Sequence, residues 1–359
     1  MKAAVCNAYG QPLSIEDVEI DSPHAGEVKV RLAATAICHS DVHLIRGEWP
    51  GQLPIVAGHE AAGVVEAVGE NVTAVKVGDR VVVSLLRSCG RCFQCTKRNW
   101  HLCEGQFALN TESRLRNQSG KSLMHGIRVG AFAESVIVDQ SQVVSIPDSM
   151  PFDRAALLGC GVITGVGAVM NTARVSEGDS VVVIGSGGVG LNAIQGAALV
   201  GANPIVAVDR VETKLTAART FGATHTINGA IEDVRKSVKK LTSGRGADFA
   251  FVTVGSTAAV TQALSLIRLA GTVVVVGMAE WQATVPLRVA DLVWNEQRLI
   301  GSRMGTTRLQ VDVPRLVDLY LEGRLKLDEL ITARYPLEGI NEAIGAMERG
   351  EALRNVIVF

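Results

Sequence analysis

The sequence predicts an α/β protein with two domains, one rich in β-strands and one built on a doubly wound parallel sheet. From residue 1 to about 150, short β-branched segments such as Glu27–Ala33 and Ala62–Val68 are bounded by turn residues. From about 160 to about 300, continuous apolar runs such as Val181–Ile184 alternate with segments of helical period, which is typical of βαβ units. A length of 359 residues also fits two domains.

The remaining strands and helices are predicted from the same patterns of apolar residues. Phe249–Val254 and Thr272–Val276 are predicted as further buried strands of the parallel sheet. Towards the C-terminus, Val313–Glu322 and Ile340–Arg349 have helical patterns, and Asn355–Phe359 reads as a closing strand.

Composition excludes several classes of protein. The chain has 35 Lys and Arg against 36 Asp and Glu, a net charge of −1, which argues against nucleic-acid binding. No secretory signal is visible, and the apolar stretch Val181–Ala202 contains Asn192 and Gln195, so we interpret it as a strand entering a helix, not a membrane span. Seven cysteines, an odd number, suit a reducing compartment, and we expect a cytoplasmic protein.

A glycine-rich turn follows the strand predicted at Ser180–Ile184 and opens a helix that is predicted to end near Val200. The first glycine permits the turn, the second lets the backbone approach a pyrophosphate, and the third allows close packing of helix and strand. The helix N-terminus also offers unpaired N–H groups to phosphates. A turn without ligand is the alternative, but the full strand–turn–helix context favours dinucleotide binding by Gly185, Gly187, Gly188, Val189 and Gly190.

The acidic residue that this motif requires is Asp209, which ends the next strand, Ile205–Val208, and lies 19 residues after Gly190. A carboxylate there accepts hydrogen bonds from the adenosine ribose and repels a 2′-phosphate, so the sequence favours NAD over NADP. Arg210 is a counter-signal, because an arginine can accommodate that phosphate.

Four cysteines, Cys89, Cys92, Cys95 and Cys103, lie within fifteen positions. They can form a closed tetrahedral zinc site with no open position, and therefore a structural one. An iron–sulfur site uses similar spacing, but its last cysteine usually precedes proline and Cys103 precedes Glu104. Disulfides are the other alternative, which the expected compartment disfavours.

Three cysteines remain, of which Cys6 reads as a packed strand residue. Cys38 begins the segment Cys-His-Ser-Asp-Val-His, His59 lies about twenty residues on, and Cys160 stands between two glycines. Taken singly, each is more often structural than ligating. Beside a nicotinamide-binding fold they suggest more, because two thiolates and one imidazole leave one zinc position free for a substrate oxygen.

These motifs together resemble the zinc-dependent medium-chain alcohol dehydrogenases over essentially the whole chain, down to Leu353-Arg354-Asn355. The resemblance implies a GroES-like β-rich catalytic domain, residues 1–161 and 305–359, carrying a structural zinc lobe at about 88–104. It also implies a Rossmann NAD-binding domain, residues 162–304, with the active site in the cleft between the two, and a homodimer or homotetramer.

Carried over position by position, the resemblance implies roles for individual residues. Cys38, His59 and Cys160 look like ligands of a catalytic zinc, giving two zinc ions per subunit, and Asp41 looks like the acceptor that orients His59. Ser40 would accept the proton of the substrate hydroxyl, and His43 would pass it to solvent. Glu60 is the acidic neighbour of the zinc, and cofactor contacts are implied for His39, Thr164, Val189, Lys214 and Arg354.

The substrate is the least determined feature. Trp49 and Leu85 match positions that line the substrate pocket and favour medium-chain or aromatic primary alcohols, or secondary alcohols, with the corresponding aldehydes or ketones. A thiol-dependent formaldehyde dehydrogenase is an alternative, and its anionic substrate would need cations such as those from Arg114 to Arg128. That segment lies in Gln106–Val129, which we expect to be a solvated loop. The alternative of another class is an NAD-binding zinc protein without turnover.

Overall fold

The computed structural model describes residues 1–359 and divides into two compact units. Met1–Cys160 and Arg308–Phe359 form the first, which we call the terminal unit. Gly161–Thr307 forms the second, the inserted unit. Each unit has its own sheet system and its own buried core.

The first part of the terminal unit is mostly strand. Its strands are β1 Lys2–Cys6, β2 Ser14–Ile20, β3 Glu27–Ala36, β4 Ile55–Val56, β5 Glu60–Val68, β6 Arg80–Val83, β7 Leu115–Asn117, β8 Ser122–His125, β9 Ser135–Asp139 and β10 Val143–Ser145. Its helices are α1 His39–Ile45, α2 Phe93–Thr96 and α3 Phe152–Leu157.

The inserted unit alternates strands with helices. Its elements are α4 Gly161–Gly167, β11 Val181–Ile184, α5 Gly188–Leu199, β12 Ile205–Asp209, α6 Glu212–Thr220, β13 His225–Asn228, α7 Val234–Leu241, β14 Ala247–Val252, α8 Thr257–Leu266, β15 Ile267–Val275, α9 Val289–Trp294 and β16 Arg298–Gly301. The chain then returns to the terminal unit with α10 Leu309–Leu321, β17 Ile331–Tyr335, α11 Ile340–Glu348 and β18 Arg354–Val358.

The terminal unit contains a seven-stranded sheet and a small closed barrel. The sheet runs β10-β6-β5-β3-β18-β17, with β9 also paired to β3, and the barrel is β1-β2-β7-β8-β4. Strand β3 is buried along most of its length because it pairs with β5, β9 and β18. The ends of β3 and β5 therefore fix the segments that follow and precede them, which carry Cys38 and His59.

The inserted unit is a six-stranded parallel sheet in the order β13-β12-β11-β14-β15-β16. All four residues of its central strand β11 are buried, as expected for a strand covered on both faces. The strand order reverses between β11 and β14, and in such sheets ligands bind outside the carboxyl ends of the strands at that switch point. The glycine-rich turn leaves β11 there.

The prediction of an α/β chain with a β-rich part and a parallel sheet is confirmed. The stretch Val181–Ala202 forms β11 followed by α5, as expected. Strand β14 ends at Val252, two residues before the predicted end, and β15 begins at Ile267, five before the predicted start. None of the helices has both the length and the apolar character that crossing a membrane requires.

The expectation of a solvated loop at Gln106–Val129 is wrong in part, because Arg116, Lys121 and Arg128 are exposed but the segment is not all loop. This segment supplies β7 and β8, two strands of the closed barrel. Arg114 is only 3% exposed, and its guanidinium binds Glu27 in a bidentate pair, Nη2 to Oε1 at 2.7 Å and Nε to Oε2 at 2.9 Å. Arg114 departs from the expected solvation because it is neutralised by Glu27, a buried carboxylate that is distant in sequence.

Candidate active site and cofactor site

Asp41 and His59 form a buried pair beneath the end of the large sheet. His59 Nδ1 lies 2.8 Å from Asp41 Oδ1, and both side chains are inaccessible to solvent. Burial disfavours a charged ring, but the Asp41 carboxylate outweighs it and raises the pKa of His59 well above its ordinary value. Because Nδ1 faces Asp41, Nε2 points the other way, where it is buried and has no hydrogen-bond partner.

The sulfur atoms of Cys38 and Cys160 lie close to the His59 ring. The ligand atoms of Cys38, His59, Glu60 and Cys160 all lie within 4.8 Å of one another. A hydrogen bond between the two sulfurs lowers the pKa of Cys38 well below its ordinary value and raises that of Cys160. The cluster thus joins the loop after β3, the start of β5 and the end of α3 at one buried point.

Local chain geometry explains how Cys160 reaches the cluster. Ser84, directly after β6, donates its hydroxyl to the carbonyl of Gly159 at 2.6 Å. A Cβ atom at Gly159 would lie 2.7 Å from the carbonyl oxygen of Val83 and 2.9 Å from the Cα of Glu60. Glycine is therefore required for this close approach, and it brings the next residue, Cys160, to the end of the sheet.

Glu60 pairs with Arg354 beside the thiols. Arg354 Nη2 lies 2.6 Å from Glu60 Oε1, and the two side chains are 6% and 0% exposed. Burial raises the pKa of Glu60 to about 7, although the Arg354 guanidinium opposes that rise. The arginine thus faces the metal-ligand cluster in the terminal unit, and its predicted contact with a pyrophosphate stays a prediction.

The donor set fits zinc. Two sulfurs and one imidazole nitrogen are the ligand types of a zinc site that keeps a position open, and the unpartnered Nε2 of His59 is the atom that such a site requires. The bond from His59 to Asp41 is the outer contact that commonly orients a ligating histidine. A carboxylate, Glu60, is also within reach.

The four other cysteines form a second cluster. The sulfurs of Cys89, Cys92, Cys95 and Cys103 lie within 4.8 Å of one another, and none of the seven cysteines of the chain forms a disulfide. Backbone N–H groups point at these sulfurs, for example Cys89 N to Cys103 Sγ at 3.2 Å, and such bonds stabilise thiolates. Four sulfur atoms at this spacing fit a closed tetrahedral zinc site.

The predicted proton-relay residues lie on α1. Ser40 and His43 are three positions apart on this helix and therefore share a face. His43 Nδ1 contacts a carboxylate oxygen of Glu48, and its ring stacks on Trp49 with centroids 5.1 Å apart. His39 begins the helix. Leu85 lies two residues after β6 and is half-buried.

The glycine-rich turn lies between β11 and α5 of the inserted unit. Gly185 has φ of +96°, and a Cβ atom at Gly190 would lie 1.8 Å from the carbonyl oxygen of Gly185, so both positions require glycine. A Cβ atom at Gly187 would meet no atom within 4 Å. The turn is therefore tight on its inner side and open at Gly187, the cap residue of α5, where a phosphate can approach the helix N-terminus.

Asp209 closes this turn from the next strand. Its Oδ2 accepts a hydrogen bond from the Ser186 N–H at 2.7 Å, and its Oδ1 accepts bonds from the N–H groups of Arg210 and Val211. An ionised carboxylate has about four acceptor sites, so after these three bonds Oδ2 can still accept a hydrogen bond from a ribose hydroxyl. Arg210 is exposed, and Lys214 is half-buried on α6.

Thr164 and Val189 lie on α4 and α5, two helices of the inserted unit that pack against each other. A Cβ atom at Gly165 would lie 2.4 Å from the carbonyl oxygen of Val189, so α4 packs directly against α5. The hydroxyl of Thr164 lies 3.6 Å from the sulfur of Met304. The structure thus places Thr164 and Val189 on adjoining helices, with Met304 beside Thr164, and their contact with a nicotinamide stays a prediction.

Comparison with known proteins identifies the family. Residues 24–148 match the family described as alcohol dehydrogenase GroES-like domain, and residues 188–322 match zinc-binding dehydrogenase. An NDMA-dependent alcohol dehydrogenase of Amycolatopsis methanolica is 40% identical, with 99% of this chain and 98% of that protein covered. The chain belongs to the zinc-dependent medium-chain alcohol dehydrogenases. It is an enzyme, an oxidoreductase acting on alcohols.

Solved structures agree with this membership. An alcohol dehydrogenase zinc-binding domain protein of Burkholderia ambifaria superposes with a TM-score of 0.95 at 35% identity, covering 100% of this chain and 98% of the other. The benzyl alcohol dehydrogenase of Acinetobacter calcoaceticus superposes with a TM-score of 0.93 at 32% identity, covering 100% and 99%. The fold class predicted from the sequence, a GroES-like domain with a Rossmann domain, is confirmed.

Sequence reasoning missed some residues. Glu48 contacts His43, yet its only sequence signal is a carboxylate five positions after a histidine. Ser84 was missed because its role is to hold a backbone carbonyl near Cys160. Met304 was missed because it lies 140 positions from Thr164.

We expect Asp41→Asn to weaken metal binding at the mixed cysteine–histidine cluster by about 10- to 100-fold, because the orienting carboxylate of a ligating histidine contributes roughly that much. Chelator competition monitored by elemental analysis measures the change. Asp17→Asn is the control, since Asp17 is 63% exposed and remote from the cluster in the barrel. Equal metal affinity of Asp41→Asn and the unmodified protein would contradict the assignment.

Proposed function

We propose that this enzyme oxidises primary or secondary alcohols, with NAD as hydride acceptor and a zinc ion held by Cys38, His59 and Cys160. A second zinc is proposed at the four-cysteine cluster. The observation that carries the proposal is the unpartnered, buried Nε2 of His59, fixed by Asp41 and close to the thiols of Cys38, half-buried, and Cys160, buried.

Zinc bound there would supply a Lewis acid that polarises the alcohol oxygen and makes its proton easier to remove, while NAD would accept the hydride. The chain's own residues do the rest. Asp41 holds the imidazole of His59 in one orientation. Arg354 compensates the negative charge of Glu60 next to the thiols.

Ser40 and His43 would carry the hydroxyl proton. Ser40 is proposed to take the proton from the alcohol, and His43, 25% exposed, to pass it to solvent. Their shared face on α1 supports this order, since the helix that holds both residues begins next to the zinc ligand Cys38.

Cofactor preference is proposed from Asp209. Its carboxylate stands at the end of β12 beside the glycine-rich turn, where it would repel a 2′-phosphate, so NAD is favoured over NADP. His39, Thr164, Val189, Lys214, Arg210 and Arg354 are proposed as further contacts with the dinucleotide. Because one relative is named for its dependence on NDMA, assays should compare NDMA with NAD as oxidant.

Aromatic or medium-chain alcohols are the proposed substrates. The indole of Trp49 and the side chain of Leu85 are apolar candidates for the pocket wall. The similarity to a benzyl alcohol dehydrogenase supports an aromatic substrate. An apolar pocket discriminates weakly between neighbouring chain lengths, so a series of alcohols of graded size is the appropriate screen.

The alternative of a thiol-dependent formaldehyde dehydrogenase loses one of its candidate cations. Arg114 is buried and paired with Glu27, so it is not available to an anionic substrate. Arg116, Lys121 and Arg128 are exposed, and the alternative rests on them. The alternative of a protein without turnover is set aside, because the family consists of dehydrogenases.

A homodimer is proposed through one face of the inserted unit. Helix α9 buries none of its residues, and Val293 and Trp294 are 72% and 88% exposed. Strand β16 next to it in sequence is the last strand of the sheet, with one edge open for pairing. Such an apolar face is typical of an interaction surface. The cytoplasmic location also stays a proposal, supported by seven cysteines of which none is in a disulfide.

The first prediction concerns Cys38. Cys38→Ala should lower alcohol oxidation by on the order of 10³-fold or more, because a metal acting on charge in the transition state is worth several kcal/mol. NADH binding, measured by fluorescence, should be retained. Cys6→Ala is the matched control, a buried cysteine outside both clusters. Undiminished turnover of Cys38→Ala would refute the catalytic-zinc assignment.

The second prediction concerns Asp209. Asp209→Gly should lower the ratio of kcat/KM for NAD to that for NADP by about tenfold or more, because a lost hydrogen bond to a charged group and relief of repulsion each contribute. Glu212→Gln removes a nearby exposed charge and serves as the control. If both variants shift the ratio equally, general electrostatics and not the Asp209 contact sets the preference.

The third prediction concerns the proposed dimer. Trp294→Glu should convert the protein to a monomer with the chain mass of 37.9 kDa, measured by light scattering after size exclusion. The control is Phe93→Glu, an equally drastic change at a residue 65% exposed on the cysteine lobe. A monomeric unmodified protein, or an unchanged mass for Trp294→Glu, would show that this face does not join subunits.

A further inference from the structure

The turn after α1 folds back onto His43. Gly47 has φ of +75°, which favours glycine, and its N–H bonds to the Leu44 carbonyl at 3.1 Å. The N–H of Glu48 then bonds to the carbonyl of His43 at 3.0 Å, and that of Trp49 bonds to the same oxygen at 3.3 Å. The backbone therefore fixes both following side chains next to the His43 ring.

Two contacts hold that ring. The Nδ1 atom contacts Glu48 Oε2, and the indole of Trp49 stacks on one face of the imidazole at an interplanar angle of 17°. An ionised carboxylate has no hydrogen to donate and can only accept hydrogen bonds. The hydrogen between the two groups therefore belongs to Nδ1 of His43. The other ring nitrogen, Nε2, is then left as the basic atom.

One cation, Arg46, lies close to Glu48 and also contacts Glu348. Arg46 Nη1 is 3.9 Å from Glu48 Oε1, whereas Arg46 Nη2 lies closer to another carboxylate, 2.5 Å from Glu348 Oε1. The side chains of His43 and Glu48 are 25% and 33% exposed. The pair is thus open to solvent on one side, as a group that releases protons to water must be.

We propose that Glu48 is a positioning residue for proton release, holding His43 with its Nδ1–H towards the carboxylate and its Nε2 free as the base. The proposal rests on the proposed alcohol oxidation and on the relay role of Ser40 and His43. It adds a residue to that relay and explains why the turn carries glycine, glutamate and tryptophan in succession.

The proton balance is simple. Nε2 of neutral His43 takes up the proton that comes from the alcohol by way of Ser40, and the ring becomes an imidazolium. Glu48 stays ionised and stabilises that positive charge through the Nδ1–H bond. The same proton then leaves Nε2 for water, which restores the original tautomer without rotation of the ring. No oxidant or reductant takes part.

The first experiment is independent of catalysis. In the full-length protein labelled with ¹⁵N-histidine, the two ring nitrogens of His43 report directly which one carries the proton, and His43→Gln assigns the signal among seven histidines. At alkaline pH we expect Nδ1–H in the unmodified protein, a mixture or Nε2–H in Glu48→Ala, and recovery in Glu48→Asp. Glu348→Ala, which alters the same arginine without touching His43, should resemble the unmodified protein.

The second experiment measures turnover. Glu48→Ala should lower kcat for alcohol oxidation by about tenfold or more, with little change in KM, since a positioned general base contributes roughly 10²- to 10⁴-fold. In the His43→Gln background the same substitution should have no further effect, whereas a merely structural role would add to the loss. Glu48→Asp should recover part of the rate.

The outcomes separate the two proposals. If the unmodified protein does not oxidise alcohols, the proposed function fails, and the tautomer measurement still decides the role of Glu48. If the protein is active and His43→Gln is impaired, but Glu48→Ala keeps both the tautomer and the rate, the proposal for Glu48 is overturned alone. An equal loss in the presence and absence of His43 also overturns it.

Discussion

The hydrogen bonds to one buried carboxylate, that of Asp41, organise the proposed metal centre. Its Oδ1 accepts bonds from His59 Nδ1 at 2.8 Å and from the Gly58 N–H at 2.9 Å, and its Oδ2 accepts the Cys38 N–H at 3.2 Å. A single side chain on α1 thus ties the start of that helix to the residues before β5. It also decides which nitrogen of His59 faces the thiols, so the ligand set depends on it.

The charges of this cluster explain its composition. The thiols of Cys38, half-buried, and Cys160, buried, lie with the buried Glu60 in a region of low solvent access, and the Arg354 guanidinium is the opposite charge beside Glu60. Buried charges are stable only when they are paired or coordinate a metal. A dication among two thiolates, an imidazole and a carboxylate completes that compensation, which is why the same residues that look costly in isolation fit a metal site together.

The sequence predicted what depends on local chemistry. The glycine-rich turn was predictable because only glycine fits the positive φ of Gly185 and the close backbone contact at Gly190. The cysteine clusters were predictable because few residue types bind zinc. Contacts made by tertiary folding are not predictable in this way. The burial of Arg114 depends on Glu27, 87 positions away, and Glu48 contacts His43 only because the turn at Gly47 reverses the chain.

The metal content tests the central claim most directly. Elemental analysis of purified protein, combined with X-ray absorption at the zinc edge, measures both the number of ions and their neighbours. The arrangement of Cys38, His59 and Cys160 beside the four-cysteine cluster predicts two zinc ions per chain, surrounded on average mainly by sulfur with a minor contribution from imidazole. A single zinc bound only by sulfur, or none in active protein, would contradict the account.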